Sequence, residues 1–368
     1  MIYFDNASTT KMDESVKKIM MEAFESTWAN PSALHSLGFN SEKRIREARK
    51  IISEILRVKD DNLLFVPSAT IANNAVIKSA TEGKTGNIVI SSFEHSSVYN
   101  CCMNLNNIEV RMAKVNDFGF VIEEDLLDKI DEKTLMVSIV HVNNEIGSIN
   151  DVNRLAKIVK EKNPKVLFHS DGVQAFKKID ISLKDIDFYT IASHKINGPK
   201  GIAGLYVRDF KLLNPYIMGG GQEKNIFSGT ENVQAIIGFA KAVTLENNVV
   251  EIAKINNFLR EEISKIDGAR INSPADKSSK YILNACFSGI GAEILLHSLE
   301  MDDIYISTGS ACSKTQKSRA LEAISVDKNY IDGCIRISFD RNSTMEEARI
   351  FLKKLREKIE MIRKIVGK

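Results

Sequence analysis

Two apolar runs of the chain end in residues whose side chains could do chemistry. The run KVLFHSDGVQ leads to Asp171, and the run DFYTIASHKINGPKG leads to His194 and Lys195. Ligands of open α/β sheets bind beyond the carboxyl ends of the strands, so an aspartate and a lysine placed there would face one crevice. Pyridoxal phosphate (PLP) needs such a pair, because a lysine amine forms its Schiff base and an acid keeps its pyridine nitrogen protonated. The spacing alone is equally compatible with a helix-capping Asp171 and a solvated Lys195.

A candidate phosphate site lies in the segment FVPSATIANNAV. A short apolar run is followed there by Ser68, Ala69 and Thr70, which are predicted to open a helix. The free amides and the positive dipole end of a helix N-terminus favour an anion, and the Thr70 hydroxyl can donate as well. Ser and Thr are also the commonest plain N-caps, so a structural role fits the same residues.

Three further segments carry polar side chains that could belong to a site. SFEHSSVYN contains His95, whose imidazole could lie over an aromatic cofactor ring, and HVNNEIG contains Asn144. MGGGQEKNIFSGTENV combines three successive glycines with Thr230. A structural histidine and ordinary turns are the alternatives for these segments.

The cysteines suggest a reactive thiol. Cys312 stands in STGSACSKTQK, among small and polar residues, whereas a free cysteine is usually buried. Cys101, Cys102, Cys286 and Cys334 complete an odd set without a CxxC pair, so we expect neither a disulfide framework nor a structural zinc site. Cys286 and Cys334 lie in strand-like runs and are expected to be buried.

Hydrophobic periodicity predicts the elements that position these residues. Short β-rich runs (NLLFV, NIVIS, LMVSIV, KVLFHS, DFYTIA) alternate with helical stretches, which predicts βαβ units around a mainly parallel sheet. The run NGPKGIAGLYV has no helix before its strand and predicts a hairpin-like insertion. Three buried helical stripes are predicted: Ile45, Ala48, Ile52, Ile55 and Leu56; Val152, Leu155, Ala156 and Val159; and Phe351, Leu355, Ile359 and Ile362. A capping box from Thr344 to Glu347 precedes the third stripe.

Composition limits the class of protein. The 368 residues are 43% hydrophobic and 27% charged, which is ordinary for a globular protein of about two domains. The net charge of +2 creates no strong field, so we expect no direct nucleic-acid partner. No secretory signal and no apolar run long enough to span a bilayer is evident, which predicts a cytoplasmic protein without a membrane partner.

The candidate segments occur in an order that resembles a known family. From Tyr3 to about Ser338 the chain carries YFDNASTT, NPSALHSLG, SATIANN, EHSSV, HVNNEIG, HSDGVQ, SHKINGPKG, GGGQE, SGTEN, STGSAC and IRIS. This series is similar to that of the NifS/IscS-type cysteine desulfurases. The resemblance implies PLP fold type I, the aspartate-aminotransferase-like α/β fold. In that fold a mainly parallel seven-stranded sheet forms a large domain, here residues 15–247. A smaller α+β domain would consist of residues 1–14 and 248–368 and carry the Cys312 loop.

The same resemblance implies roles for individual residues. Lys195 would form the Schiff base, Asp171 would pair with the pyridine nitrogen, His95 would stack on the ring and Gln174 would bond the phenolic oxygen. The phosphate and the rest of the cofactor would be held by Ala69, Thr70, Asn144, Ser193 and His194, and by Thr230 from the other subunit of a homodimer. Asn144 and Arg336 would bind the substrate carboxylate. No metal is implied.

The implied activity is desulfuration of L-cysteine. Lys195, Cys312 and His95 would be the catalytic residues, and the products would be L-alanine and a persulfide on Cys312. An acceptor protein, either an Fe–S scaffold or a tRNA-thiolation enzyme, would then take the sulfur. A selenocysteine lyase, another class-V aminotransferase-like enzyme and a degenerate relative without turnover are the alternatives.

The chain departs from the family pattern at several positions. Ala192 stands where the family has Ser, which removes one hydroxyl from the phosphate site and predicts a modest loss of PLP affinity, since such a bond contributes about 1.5–3 kcal/mol. Phe227 replaces an Arg beside the Thr230 loop, which predicts altered substrate access or partner choice. The Pro-Ser pair usual after Cys312 is absent.

Overall fold

The central element is a seven-stranded sheet. The computed structural model of the protein describes residues 1–308 and 318–366. The strands of this sheet are β2 (Leu63–Val66), β3 (Gly86–Ser91), β4 (Ile108–Ala113), β5 (Thr134–Ser138), β6 (Leu167–Asp171), β7 (Phe188–Ala192) and β8 (Ala203–Val207). Their spatial order is β2-β8-β7-β6-β5-β3-β4, and only β8 runs against its neighbours.

The predicted mainly parallel seven-stranded sheet is therefore confirmed, and so is the hairpin-like insertion, which is the antiparallel pair β7 and β8. Strands β2, β7 and β8 are buried along their whole length, and β3 is buried beyond its first residue. Continuous apolar runs are expected for strands that are covered on both faces.

Helices cover the two faces of the sheet. They are α1 (Glu14–Ser26), α2 (Ser36–Leu56), α3 (Ala69–Thr81), α4 (Ser96–Met103), α5 (Glu123–Asp128), α6 (Val152–Lys162) and α7 (Val233–Thr244). One core lies between one face and helices α1, α2, α6 and α7, and a second core lies between the other face and helices α3 and α4.

The C-terminal part of the chain forms a smaller α+β unit. Its helices are α8 (Val249–Ser264), α9 (Ala292–Glu300), α10 (Arg319–Ala323), α11 (Lys328–Ile331) and α12 (Met345–Val366). Strands β9 (Ala269–Ile271), β10 (Ile282–Phe287) and β12 (Cys334–Ser338) form an antiparallel sheet, and β1 (Ile2–Tyr3) pairs with β11 (Ile304–Tyr305).

A separate apolar core belongs to this unit. It joins Ile2 and Phe4 of the N-terminus to residues between 252 and 362. Residues 320–326, by contrast, contribute Ala320, Leu321, Ile324 and Val326 to the core of the large sheet. The boundaries 15–247 and 1–14 with 248–368 stay a prediction.

The predicted helical stripes are confirmed with one exception. Buried residues include the predicted sets Ile45, Ala48, Ile52 and Leu56 of α2, Val152, Leu155, Ala156 and Val159 of α6, and Phe351, Leu355, Ile359 and Ile362 of α12. The prediction that Ile55 is buried is wrong, because this residue lies at the edge of the stripe and is 44% exposed. The capping box is present, with the Thr344 amide donating to Glu347 and the Glu347 amide donating to Thr344 Oγ1.

Two cysteines contradict the expectation that the chain forms no disulfide. Cys286 and Cys334 are joined, and both are buried, as predicted. The two residues lie directly opposite each other in the antiparallel pairing of β10 and β12. Their separation of 48 residues along the chain gives no hint of that register.

Within residues 1–308 and 318–366, no helix combines the length and the apolar character that crossing a membrane requires.

Candidate active site

A cavity of about 460 Å³ opens at the carboxyl ends of the parallel strands. Its volume is in the range of small-molecule and cofactor sites. Segments that follow β2, β3, β5, β6 and β7 bound it, together with the N-terminal residues Ala7 and Ser8. Of the predicted site residues, those that line the cavity are Ala69, Thr70, His95, Asn144, Asp171, Gln174, His194, Lys195 and Arg336.

Lys195 ends the short 3-10 turn Ser193–Lys195, which directly follows β7. Its Nζ donates to the carbonyl oxygens of Ala7 and Ser8, each at 2.6 Å. The N-terminal main chain thus holds the amine at the cavity wall, where a carbonyl carbon could reach it.

Asp171 is the last residue of β6 and is 5% exposed. Its Oδ2 accepts a hydrogen bond from Asn73 Nδ2 at 2.9 Å, and its Oδ1 accepts one from the Val173 amide at 3.0 Å. Gly172 allows this turn, because a Cβ there would lie 2.0 Å from the Tyr189 ring. The carboxylate is therefore fixed by two donors, with its position set by close packing on β7.

His95 caps α4 and is connected to Asp171 by a chain of hydrogen bonds. Its Nδ1 lies 2.8 Å from Ser97 Oγ and accepts from the Ser97 amide at 3.2 Å. Asn73 Nδ2 donates both to Ser97 Oγ and to Asp171 Oδ2, each at 2.9 Å. The Ser97 hydroxyl must then donate to Nδ1, which leaves the proton of the neutral ring on Nε2.

The charge of His95 depends on its surroundings. Burial lowers the pKa of His95, the Asp171 carboxylate opposes that shift, and Lys195 and Arg319 add to it. The lowered pKa leaves the imidazole neutral at neutral pH, so it can pack on a ring and exchange a proton.

The candidate phosphate site is the N-terminus of α3. Ser68 is the N-cap, and its Oγ accepts from the Ile71 amide at 3.3 Å. The amides of Ala69 and Thr70 lack intrahelical acceptors, as in every helical first turn. His194 lies at the same cavity, and burial, aided chiefly by Lys195, lowers its pKa to about 4. His194 would therefore meet an anion as a neutral hydrogen-bond donor.

Arg336 extends from β12 and is 2% exposed. Its Nη1 donates to the Asn144 carbonyl at 3.0 Å, and its Nη2 donates to Asp5 Oδ1 and Ser8 Oγ, each at 2.7 Å. Its buried Nε has no hydrogen-bond partner among the residues described. A guanidinium at a cavity wall with an unused N–H suits a carboxylate ligand.

Gln174 is buried beside the N-terminal segment. Its Nε2 donates to the Ala7 carbonyl at 2.8 Å, and its Oε1 accepts from Lys178 Nζ at 2.9 Å. The Ala7 carbonyl thus receives hydrogen bonds from both Gln174 and Lys195.

Two predicted site residues among those described do not line this cavity. Ser193 is fully buried, and its Oγ lies next to Gly198, where a Cβ would come within 2.1 Å of it. Thr230 is exposed and does not line the cavity of its own chain. Cys312 lies outside the described residues.

Sequence reasoning missed several polar residues at the site. Glu94 is a buried carboxyl and Glu145 a half-buried one, and both lie on the cavity wall. Burial raises the pKa of Glu94 to about 8 and also raises that of Glu145. Glu94 accepts hydrogen bonds from Ser91 and from the Val140 amide, and Glu145 accepts one from Ser318. Their positions after a strand, within EHSS and NNEIG, are the signal that could have identified them.

Asn73 was also missed, although it lies within the segment FVPSATIANNAV that contains the predicted phosphate site. It is fully buried and links Asp171 to Ser97.

One departure from the family pattern has a structural explanation. Phe227 is buried, and its ring lies 6.1 Å from the Tyr216 ring in the core that includes α3 and α4. It does not line the cavity. The Phe227 side chain therefore packs in the core and does not block the cavity.

The side chains present fit PLP. An amine, a buried carboxylate, a helix N-terminus and a half-buried imidazole surround one cavity, as the aldehyde, pyridine nitrogen, phosphate and ring of the cofactor require. The guanidinium of Arg336 at the cavity wall adds a cation suited to a carboxylate.

Comparison with known proteins shows the family of the chain. Residues 2–351 match the family model Aminotransferase class-V. The chain is 37% identical to a NifS/IcsS protein homolog of Lactobacillus delbrueckii subsp. bulgaricus, covering 96% of this chain and 95% of that protein. It is 35% identical to cysteine desulfurase IscS 1 of Archaeoglobus fulgidus, with 99% and 98% covered.

A solved structure of a NifS-like protein has a TM-score of 0.91 and 32% identity, and the match covers 98% of this chain and 99% of that one. The predicted family, fold type and PLP cofactor are thereby confirmed. The chain belongs to the class-V aminotransferase family and, within it, to the NifS/IscS-type cysteine desulfurases, which are PLP-dependent enzymes of fold type I.

Proposed function

We propose that the protein converts L-cysteine to L-alanine and carries the released sulfur as a persulfide on Cys312. The observation that carries this proposal is the convergence of Lys195, Asp171, His95 and Arg336 on one cavity. Relatives named cysteine desulfurase support it. The part assigned to Cys312 rests on its place in the motif STGSAC.

The reaction balances without an external oxidant or reductant. The Cβ–S bond of L-cysteine breaks, and a new bond forms between that sulfur and Cys312 Sγ. The carbon skeleton takes up a proton at Cβ and leaves as L-alanine. PLP linked to Lys195 supplies the electron sink that makes these bond changes accessible. The thiolate form of Cys312 is the nucleophile.

Individual cavity residues would bind the substrate and the cofactor and move a proton. Arg336 would bind the substrate carboxylate through its guanidinium at the cavity wall, and Asn144 lies beside it. Asp171, with both oxygens held by donors, would pair with the pyridine nitrogen of PLP. Lys195 would move a proton at the substrate Cα.

The deciding experiment uses the purified wild-type protein with PLP and L-cysteine. We expect L-alanine to accumulate and the peptide containing Cys312 to gain one sulfur atom by mass spectrometry. A Lys195→Ala variant should lose the visible absorbance of the bound cofactor and form no alanine.

The Cys312→Ala variant separates the alternatives. Desulfuration of L-cysteine at the wild-type rate by this variant would contradict the persulfide mechanism. If the variant and the wild type act equally well on L-selenocysteine alone, the protein is a selenocysteine lyase instead. A wild-type protein that binds PLP and forms no alanine from L-cysteine would be a relative without this activity.

We also propose a homodimer in which Thr230 completes the site of the other subunit. Thr230 is exposed and outside its own cavity, while α1 and α2 carry the exposed apolar residues Met21, Phe24, Leu37 and Phe39. Gln234 of α7 donates to the Thr27 carbonyl at 3.4 Å, so the Thr230 segment lies near the same surface. Sedimentation over a concentration series should give a dimer, and a monomer throughout would contradict this.

The sulfur acceptor is proposed by class only. A persulfide has to reach a second protein, either an Fe–S scaffold or a tRNA-thiolation enzyme, and the cytoplasm is the compartment in which both occur. Labelled sulfur on Cys312 should move to one such acceptor when the two proteins are mixed. Retention of all label on Cys312 with both kinds of acceptor would contradict this assignment.

A further inference from the structure

A buried lysine lies behind the cavity and has no place in the proposed chemistry. Lys178 is 8% exposed and follows Gln174 by four residues. Its Nζ donates to Gln174 Oε1 at 2.9 Å and lies 5.7 Å from the centre of the Tyr281 ring. Burying an amine is unfavourable unless it is hydrogen-bonded, so this contact is the one that accounts for the position of the side chain.

The electrostatic surroundings do not provide an ion pair. Within the described part of the chain, no carboxylate lies within salt-bridge distance of Lys178. Lys195 and Arg336 repel its positive charge, and Asp340, which attracts it, accepts a hydrogen bond from Asn197 at 2.7 Å. Burial and then Lys195 lower the pKa of Lys178 to about 7. The amine can donate to Gln174 in both protonation states.

The contact determines which way the Gln174 amide faces. Because Oε1 accepts from Lys178, Nε2 must point to the opposite side, where it donates to the Ala7 carbonyl at 2.8 Å. An amide NH₂ has two hydrogens, and one remains for the cavity that Gln174 lines. Without the lysine, only the Ala7 carbonyl would oppose a flip that presents the amide oxygen to that cavity.

We propose that Lys178 is a positioning residue that acts through Gln174. It holds the amide N–H of Gln174 toward the phenolic oxygen of bound PLP, and this inference rests on the proposed role of Gln174. A donor at this oxygen stabilises its anionic form, whereas a flipped amide oxygen would repel it. Lys178 itself does not touch the substrate or the cofactor.

A double-mutant cycle tests the inference. Lys178→Met, Gln174→Ala and the double variant are prepared as apoproteins, and two quantities are measured: the PLP dissociation constant and the midpoint of the pH titration of visible absorbance. Lys178→Met should weaken PLP binding about tenfold and raise the midpoint, because losing a donor to a charged group destabilises the anionic form. In the Gln174→Ala background, Lys178→Met should change both quantities by less than about twofold.

Several controls make the outcome specific. Lys177→Met removes the neighbouring lysine, which has no side-chain hydrogen bond among the described residues, and should leave both quantities unchanged. Lys178→Arg keeps a donor and should restore most of the binding. If Lys178→Met does not fold, Lys178→Leu provides the same comparison.

Two results would overturn the inference: Lys178→Met that matches the wild type in both measurements, or an equally large effect in the Gln174→Ala background. The second result would mean that Lys178 acts independently of Gln174. Alanine formation by the wild type is measured in parallel and decides the proposed function separately. A wild type that binds no PLP would overturn both.

Discussion

The side chain of Ser97 orients His95 at the site through hydrogen bonds. Its hydroxyl donates to His95 Nδ1 and receives a hydrogen bond from Asn73, so it fixes both the tautomer and the orientation of the ring. A hydrogen bond of this kind contributes about 0.5–1.5 kcal/mol. Its effect on chemistry depends on how much the ring is displaced when the bond is lost.

We predict that Ser97→Ala lowers the rate of alanine formation about threefold to tenfold, a loss of about 1 kcal/mol, because the ring is no longer held in one tautomer. The fold should be unaffected. Steady-state kinetics and thermal unfolding provide the measurements. Ser96→Ala is the matched control, since Ser96 lines the same cavity and has no hydrogen bond to His95. Equal loss in both variants would contradict the prediction.

Two buried histidines make stability depend on pH. Burial lowers the pKa of both His141 and His169 to about 4, and His169 Nδ1 lies 2.8 Å from Ser138 Oγ. In the unfolded chain their pKa is about 6.5, so the unfolded state binds more protons between these values. Their contribution to stability is therefore present above about pH 6.5 and is lost as the pH falls toward 4.

We predict that the melting temperature falls on acidification from pH 7 to pH 4.5. Over the same pH range, the free energy of unfolding of His169→Asn should fall by on the order of 1–3 kcal/mol less than that of the wild type. Thermal unfolding at a series of pH values measures it. His297→Asn is the control, because His297 is exposed on α9 and should leave the dependence unchanged. An unchanged slope in His169→Asn would contradict the assignment.

At the scale of elements, one buried ion pair fixes the glycine-rich segment to the sheet. Arg49 of α2 bonds both carboxylate oxygens of Glu223, at 2.6 and 2.9 Å, and Glu223 also accepts from the Phe65 amide of β2 at 2.8 Å. The Glu223 side chain is only 4% exposed. Removing its partner would leave a buried charge without compensation.

We predict that Arg49→Ala destabilises the protein by about 3–5 kcal/mol and weakens PLP binding by displacing the segment before Thr230. Denaturant unfolding and PLP titration of the apoprotein measure the two effects. Arg46→Ala removes an exposed pair with Glu42 on the same helix and should cost no more than about 1 kcal/mol. Similar losses in both variants would refute the buried-pair explanation.

The elements also show what the sequence could predict and what it could not. Strand periodicity and the rule for strand ends correctly placed Asp171, Lys195 and His95 around one cavity. The sequence did not predict the roles of Asn73, Ser97 and Lys178, because those roles depend on contacts that form only when the chain folds.

The disulfide between Cys286 and Cys334 was also not predicted, because it forms where the two residues lie opposite each other in paired strands. Spacing along the sequence does not predict the register of two strands. Ser193 was assigned from a motif, yet its hydroxyl lies beside Gly198. A motif can fix which residues adjoin a site, but the direction of each side chain is set by packing.

At the scale of the whole molecule, the proposed dimer makes activity depend on association. Trp28 follows α1, is 67% exposed, and adjoins Thr27, which accepts a hydrogen bond from α7. Large exposed apolar side chains that cluster on one surface are typical of interfaces. The surface formed by α1 and α2 is therefore where we place the contact between subunits.

We predict that Trp28→Glu shifts the protein toward monomer and lowers alanine formation in parallel, because Thr230 no longer reaches the other site. Sedimentation and activity at a series of concentrations measure both, and higher protein concentration should restore activity. Phe118→Glu is the control, since Phe118 is an exposed aromatic residue in the turn between β4 and α5. A Trp28→Glu dimer with full activity would place the interface elsewhere.

The N-terminal segment has a consequence for biosynthesis. Ala7 and Ser8 line the cavity, and residues 5–8 bond to Arg336 and Ser338, more than 300 positions later in the chain. Residues 5–8 are therefore synthesised long before the residues they bond, and the site can close only after both have left the ribosome. Contacts so distant in sequence form late and slowly. A nascent chain that stalls after the large sheet has folded would have Lys195 in place and still lack a complete site.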